Sequence, residues 1–203
     1  MLRVLLIAPE IPGLPRLAQT TELTRIYSVP GIIVTPLIGP EVAKDKIQTQ
    51  LRWSNHDVLA WIGDGKDGKL LLSSGERVEP RWLASELRGS HIGTAILSVC
   101  DSAKRSGWDG FSDALPAAGI SMIGMSAEIS DTAAIAYDVA VLQSLANGDS
   151  LRTAHGIGLE AMGPRCQRRE PVDSRSREGG WMLLWLHGVP TETPGAYRTT
   201  VRV

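Results

Sequence analysis

The sequence is poor in cysteine and has almost no net charge. Two cysteines, Cys100 and Cys166, are too few for the disulfide framework of a small secreted scaffold. The 21 basic and 22 acidic side chains leave a formal net charge of -1, which gives no electrostatic reason to expect a nucleic-acid partner. Long apolar runs are also missing, so no segment is predicted to span a membrane.

The composition is that of an ordinary globular chain, with 43% hydrophobic and 21% charged residues among 203. A chain of this length buries a substantial core without disulfides or metals. Its apolar start, Met1–Ala8, is too short for a secretory signal with its cleavage site and predicts a first buried strand. We therefore expect one cytoplasmic domain over residues 1–203, with no metal and no cofactor. A mobile loop is predicted at about 163–180 and a polar tail from about 190.

Short apolar runs alternate with helical patterns along the chain. This alternation is typical of an α/β domain with a mostly parallel sheet, here of about six strands with helices on both faces. The predicted strands are Leu2–Ala8, Gly31–Leu37, Asp57–Ile62, Thr94–Val99, Ile120–Met125 and Trp181–Leu186. The predicted helices are Arg16–Tyr27, Gly39 to about Arg52, Pro80–Leu87, one capped by Asp131 and ending at Ala146, and one capped by Ser150 and ending near Met162.

The glycine-rich segment Gly63–Lys69 matches a dinucleotide-binding GxGxxG, and it comes close to a P-loop and to a calcium loop. The first two motifs need a helix directly afterwards, whereas Leu70–Gly75 predicts a strand and a turn. Leu70 also replaces the hydroxyl of a P-loop, and Lys66 replaces a calcium ligand. A glycine-rich turn accounts for the same residues, so nucleotide binding is kept only as a third alternative.

Two chemically useful side chains follow neighbouring predicted strands. Asp64 comes after Asp57–Ile62, and Cys100 comes directly after Thr94–Val99. The carboxyl ends of parallel strands are where open α/β sheets gather ligands and catalytic groups. If these two strands are adjacent and parallel, Asp64 and Cys100 flank one cleft. A cysteine without such a neighbour is more often a small buried hydrophobe.

Two turn motifs occur at these strand ends, Gly63-Asp64-Gly65 and Leu97-Ser98-Val99-Cys100. Further segments follow in order, namely Ala114–Gly119, Ser121–Met125, Ile129–Ala134, Leu145–Leu151 and Trp181–Pro190. This succession, over about residues 57–190, resembles a CHAT domain of the caspase-like clan of cysteine peptidases. In that family one strand ends in a Gly-His-Gly turn and the next in a Leu-Ser-Ala-Cys type motif.

The resemblance implies a caspase-like three-layer α/β sandwich with a cysteine–histidine dyad for peptide cleavage. It assigns the nucleophile to Cys100 and places Asp64 at the position of the family's histidine. A thiol needs a base or a positive charge to ionise, whereas a carboxylate raises the thiol pKa and does not replace imidazole as the proton donor to the leaving amine. We therefore expect a degenerate peptidase that binds a peptide or protein partner, such as a larger sensor or effector protein. An active cysteine peptidase is the alternative.

The remaining site predictions concern the residues that line this cleft and the base that Cys100 would need. Binding is assigned to Gly63, Gly65, Asp101, Ser102 and Trp108. His56 and His91 precede their strands and so belong to the opposite edge of the sheet, and His155 lies on a late helix. His187 ends the last strand, which the family runs antiparallel. None of the four histidines is placed to act as the base.

Overall fold

The computed structural model describes residues 1–13, 17–53, 55–99, 102, 110–125, 130–162 and 182–185. Its strands are β1 Leu2–Pro9, β2 Ile32–Gly39, β3 Val58–Gly63, β4 Gly65–Lys66, β5 Lys69–Leu71, β6 Arg77–Val78, β7 Thr94–Val99, β8 Ser121–Met125 and β9 Met182–Trp185. Its helices are α1 Leu17–Tyr27, α2 Lys44–Trp53, α3 Pro80–Arg88, α4 Phe111–Ala117, α5 Asp131–Ala146 and α6 Leu151–Ala161. The predicted site residues Cys100, Asp101 and Trp108, the loop at about 163–180 and the tail from about 190 lie outside the described residues.

The central sheet has six strands in the order β2-β1-β3-β7-β8-β9. The first five are parallel, and β9 runs antiparallel to β8. Inner strands such as β1 and β7 are nearly continuous apolar runs because both of their faces are covered. The predicted α/β class, with a mostly parallel central sheet flanked by helices, is confirmed.

Alternate residues along each strand point to opposite faces of the sheet, and each face has its own core. Trp61 and Leu97 point to the face that is covered by α2, α3 and α4, which we call the α3 face. Ala60, Ile62 and Ile96 point to the other face, covered by α1, α5 and α6, which we call the α5 face. The face to which a strand residue points therefore decides which side chains surround it.

Two predicted helix starts are corrected by the structure. Gly39, with φ 98, ends β2, and the amide of Val42 donates to its carbonyl, so α2 begins at Lys44 rather than at Gly39. Asp131 is not the N-cap of α5. Ser130 has the extended backbone of an N-cap, and its hydroxyl accepts from the amide of Ala133, whereas Asp131 is already the first helical residue.

The glycine-rich segment 63–69 forms a hairpin rather than a phosphate-binding loop. β4 and β5 pair antiparallel across Asp67 and Gly68, whose φ values are 54 and 71. Two successive residues in the left-handed region make the hairpin turn whose twist matches the flanking strands. β5 then pairs with β6, and no helix follows directly. The predicted glycine-rich turn and strand are confirmed.

Candidate functional site

The neighbouring strands β3 and β7 end at the same edge of the sheet. They are parallel, and their register pairs Gly63 with Val99. Asp64 follows Gly63 directly, at the carboxyl end of β3. The adjacency on which the site prediction depends is therefore confirmed. Cys100 follows Val99 in the sequence but lies outside the described residues, so the contact of the two side chains stays a prediction.

The backbone of Asp64 is held by the hairpin that follows it. The amide of Leu71 donates to the Asp64 carbonyl over 3.0 Å. The side chain is half-buried, and this burial raises the pKa of the Asp64 carboxyl. The carboxylate of Asp131, at the start of α5, raises that pKa further. The two acids therefore interact across this edge of the sheet, on the side of the α5 face.

The two glycines that flank Asp64 differ in what surrounds them. A Cβ added at Gly63 would lie 3.6 Å from Pro9 Cδ and 3.7 Å from Trp61 Nε1, which is ordinary contact. Gly65 begins β4 and pairs with Leu70. Packing alone therefore does not require glycine at position 63, and a role of either residue in binding stays a prediction.

Ser102 is buried, and its hydroxyl is engaged inside the fold. It donates to the carbonyl of Leu97 over 2.9 Å and accepts from the amide of Met125 over 2.9 Å. These bonds connect the carboxyl ends of β7 and β8. The observed contacts of Ser102 therefore stabilise this edge of the sheet, and its predicted part in binding has no described contact to support it.

His56 and His91 lie at the opposite edge of the sheet from Asp64, as the sequence predicted. His56 precedes β3 and His91 precedes β7, and the amide of Gly93 donates to Asp57 O at this amino edge. His155 is only 2% exposed on α6, where it hydrogen-bonds the hydroxyl of Tyr137. Burial lowers the pKa of His155 to about 4. It is therefore a packed, neutral core histidine at pH 7. His187 lies outside the described residues.

A buried polar cluster that was not predicted from the sequence lies on the α5 face, close to the carboxyl edge. Ser98 on β7 donates to a carboxyl oxygen of Asp138 on α5, and Glu22 on α1 hydrogen-bonds the same carboxyl group. Asp138 is 3% exposed and Glu22 is 5% exposed. One signal was available: Asp138 falls at helical spacing between the buried Ile135 and Val141, in a helix that is otherwise apolar on this side.

A hydrogen bond between two carboxyl groups requires a proton on one of them. Burial raises the pKa of Glu22 to about 10, and the neighbouring Asp138 and Asp131 contribute to the increase. Burial also raises the pKa of Asp138, although its hydrogen bonds with Glu22 and Ser98 act in the opposite direction. Glu22 therefore holds its proton at pH 7 and is the donor in its hydrogen bond with Asp138. The pair shares one proton that the unfolded chain would release.

The described part of the chain, with its gaps at 14–16, 54, 100–101, 103–109, 126–129, 163–181 and 186–203, contains no group of three or more His, Cys, Asp or Glu side chains arranged to hold a metal ion. In the same residues no helix is long and apolar enough to cross a membrane.

No protein-family model matches the chain, and no curated protein matches it either. A function for this site therefore rests on its residues and their geometry.

Proposed function

We propose that the chain is a CHAT-like, caspase-fold domain that lacks peptidase turnover and binds a peptide or protein partner, such as a larger sensor or effector protein. The observation that supports this most directly is Asp64 at the carboxyl end of β3, beside the end of β7. That is where the resemblance puts the catalytic histidine. The mostly parallel sheet and its antiparallel last strand are compatible with the proposal.

The chemistry of Asp64 argues against turnover. The loss of a positioned general base typically lowers a rate about 10²–10⁴-fold. Here the replacement also introduces an acid beside a second acid, Asp131. Negative charge near a thiol raises the thiol pKa, which lowers the fraction of thiolate available for attack. An acid at this position therefore favours binding of a peptide over its cleavage.

Turnover on a broad peptide library tests the proposal, with Cys100→Ala and Cys166→Ala as a matched pair of cysteine variants. We expect negligible cleavage by the unmodified protein and by both variants. Robust cleavage that is lost in Cys100→Ala but kept in Cys166→Ala would instead establish the alternative, an active cysteine peptidase with Cys100 as nucleophile. In that case a thiol-directed peptide electrophile would also label Cys100 faster than Cys166.

A gain of activity gives a second test of the role of position 64. We expect Asp64→His to recover measurable cleavage, and Cys100→Ala in the same background to abolish it. Cleavage by Asp64→His that persists without Cys100 would show that another nucleophile acts, and would contradict the assignment of the cleft.

Binding is tested by selection of peptides from a displayed library on the immobilised protein. We expect enriched peptides whose affinity falls in Asp64→Lys and is unchanged in Glu160→Lys, because Glu160 is an exposed residue on α6. Equal affinity for the two variants would place the binding surface away from the carboxyl edge. The absence of any enriched peptide would contradict peptide binding.

A further inference from the structure

The contact between Glu22 and Asp138 joins three elements that are far apart in sequence. Glu22 comes from α1, Asp138 from α5, and Ser98 from β7, two residues before Cys100. Within the described part of the chain, Glu22 Oε1 and Asp138 Oδ1 have no hydrogen-bond partner, so the contact uses the other oxygen of each group. Two nearly fully buried carboxyl groups therefore depend on each other and on one serine hydroxyl.

Among residues 20–27 of α1, whose side chains the structure describes, Glu22 and Ile26 are the buried ones. Ile26 is fully buried and Leu23 is partly buried against the α5 core, whereas Thr24, Arg25 and Tyr27 are exposed. Glu22 thus lies in the middle of the surface by which α1 packs on α5. A charge on Glu22 would therefore lie inside the surface that holds α1 on α5, where it is unfavourable.

We propose that the Glu22–Asp138–Ser98 contact is a proton-dependent latch that holds α1 on α5, and that loss of its proton releases α1. With the proton present, Glu22 donates to Asp138 and the pair carries one negative charge. With the proton lost, two adjacent carboxylates remain in a water-poor site, where their repulsion and desolvation favour an open helix. The inference does not depend on the proposed function.

Within the described residues, no basic side chain affects the pKa of Glu22 or of Asp138. The titratable groups near the contact are Asp131, which raises the pKa of Glu22, and Tyr137, whose pKa Asp138 raises; His155 hydrogen-bonds Tyr137. Asp131 adds to the repulsion at Glu22, and His155 is neutral above pH 5 because burial lowers its pKa to about 4. Opening α1 exposes Glu22 to water and returns its pKa to the ordinary value of 4.5.

Amide hydrogen exchange in α1, corrected for the intrinsic pH dependence of exchange, measures the latch directly. Between pH 5.5 and pH 8.5 the open fraction of α1 should rise about tenfold for each pH unit, because opening releases one proton. In Glu22→Gln, which keeps a donor for Asp138 but carries no titrating proton, protection of α1 should vary less than about twofold over the same range. The control Glu160→Gln, at an exposed position, should follow the unmodified protein.

Several outcomes would overturn the proposal. The same pH profile in Glu22→Gln and in the unmodified protein would exclude Glu22 as the origin. A Glu22→Gln chain that is less stable than the unmodified protein at pH 8 would also exclude it, since the amide enters the buried site without the proton uptake that Glu22 requires at that pH. Asp138→Asn gives a check from the other side of the contact: without the Asp138 charge we expect the profile to level off at a lower pH than in the unmodified protein, and a profile that levels off at the same pH would show that no pair is involved.

Discussion

The two faces of the central sheet are built differently. On the α3 face, side chains of α2, α3 and α4 pack against the sheet, and both Trp61 of β3 and Leu83 of α3 are fully buried. The α5 face has its own apolar core but also buries Glu22, Ser98, Asp138 and His155. Asp64 continues the alternation of Ala60 and Ile62, so it belongs to the α5 face, where it interacts with Asp131. Both faces thus have an apolar core, and the buried ionisable groups Glu22, Asp138 and His155 lie on the α5 face.

The largest expected effect tests the stability of the α3 face. Leu83→Ala deletes a fully buried side chain of α3, and such a change typically lowers the free energy of unfolding by about 2–5 kcal/mol. Chemical denaturation at pH 5.5 and pH 8.5 should give the same loss, because no titratable group is removed. Trp53→Ala is the control: Trp53 is 85% exposed, so we expect a change within about 0.5 kcal/mol. A loss that varies with pH would show that the two faces are not independent.

The second effect concerns the acidic pair on the α5 face. Glu22 has a pKa of 4.5 when unfolded and about 10 when folded. Its proton therefore stabilises the fold fully below pH 4.5, and this stabilisation is lost progressively as the pH rises toward 10. Because pH 7 lies about 2.5 units above the unfolded pKa and each unit corresponds to about 1.4 kcal/mol, Glu22→Gln should raise the free energy of unfolding at pH 7 by up to about 3 kcal/mol relative to its effect at pH 4.5.

Below pH 6.5, His155 makes the stability of the fold depend on pH in the direction opposite to that of Glu22. Its folded pKa of about 4 is below the ordinary histidine value of 6.5, so stability falls as the pH drops through that window. The contributions of Glu22 and His155 then oppose each other between pH 4.5 and 6.5, and only the Glu22 contribution remains above pH 6.5. We expect a nearly flat stability profile that declines above pH 6.5. Denaturation of Glu22→Gln should instead show a rise from pH 4.5 to 6.5 and a plateau; a flat profile in this variant would contradict the contribution of His155.

The third effect uses two glycines of α6 that differ only in their surroundings. A Cβ at Gly158 would lie 2.6 Å from Val141 Cγ2 and 2.7 Å from Tyr137 Cε2, whereas a Cβ at Gly156 meets nothing within 4 Å. Gly158→Ala should therefore lower the free energy of unfolding by about 1–3 kcal/mol through overpacking. Gly156→Ala should raise it by about 0.5–1 kcal/mol through helix propensity. Similar results for the two variants, measured by thermal unfolding, would mean that α6 does not pack closely on α5.

The sequence was informative where a local pattern decides the structure. Buried strands such as Thr94–Val99 have apolar runs bounded by turn residues, so the adjacent ends of β3 and β7 could be predicted. The contact of Glu22 with Ser98 and Asp138 could not be predicted, because it needs three segments separated by tens of residues to meet. Sequence periodicity marks Asp138 as unusual but does not identify its partners.

The start of α5 is a second place where the sequence alone did not decide the structure. Ser130 and Asp131 are both good capping residues, and the second of them was predicted to be the cap. The choice depends on which residue keeps an extended backbone, and that residue is Ser130, with φ -67 and ψ 144. Neighbouring residues of equal capping propensity are separated only by the path of the chain into the helix.

The smallest expected effect concerns the two residues at the start of α5, Ser130 and Asp131. It tests whether negative charge on the α5 face is unfavourable. Ser130→Ala removes the hydroxyl that accepts from the Ala133 amide, so we expect a loss of about 1 kcal/mol in the free energy of unfolding. Asp131→Asn keeps that cap. It removes a favourable interaction with the helix dipole of about 0.3–1 kcal/mol, but it also removes the repulsion that Asp131 exerts on Asp64. These two changes oppose each other, so Asp131→Asn should be nearly neutral by chemical denaturation at pH 7. A loss in Asp131→Asn equal to that in Ser130→Ala would show that the carboxylate stabilises α5, and that the acids of this face do not repel each other as inferred.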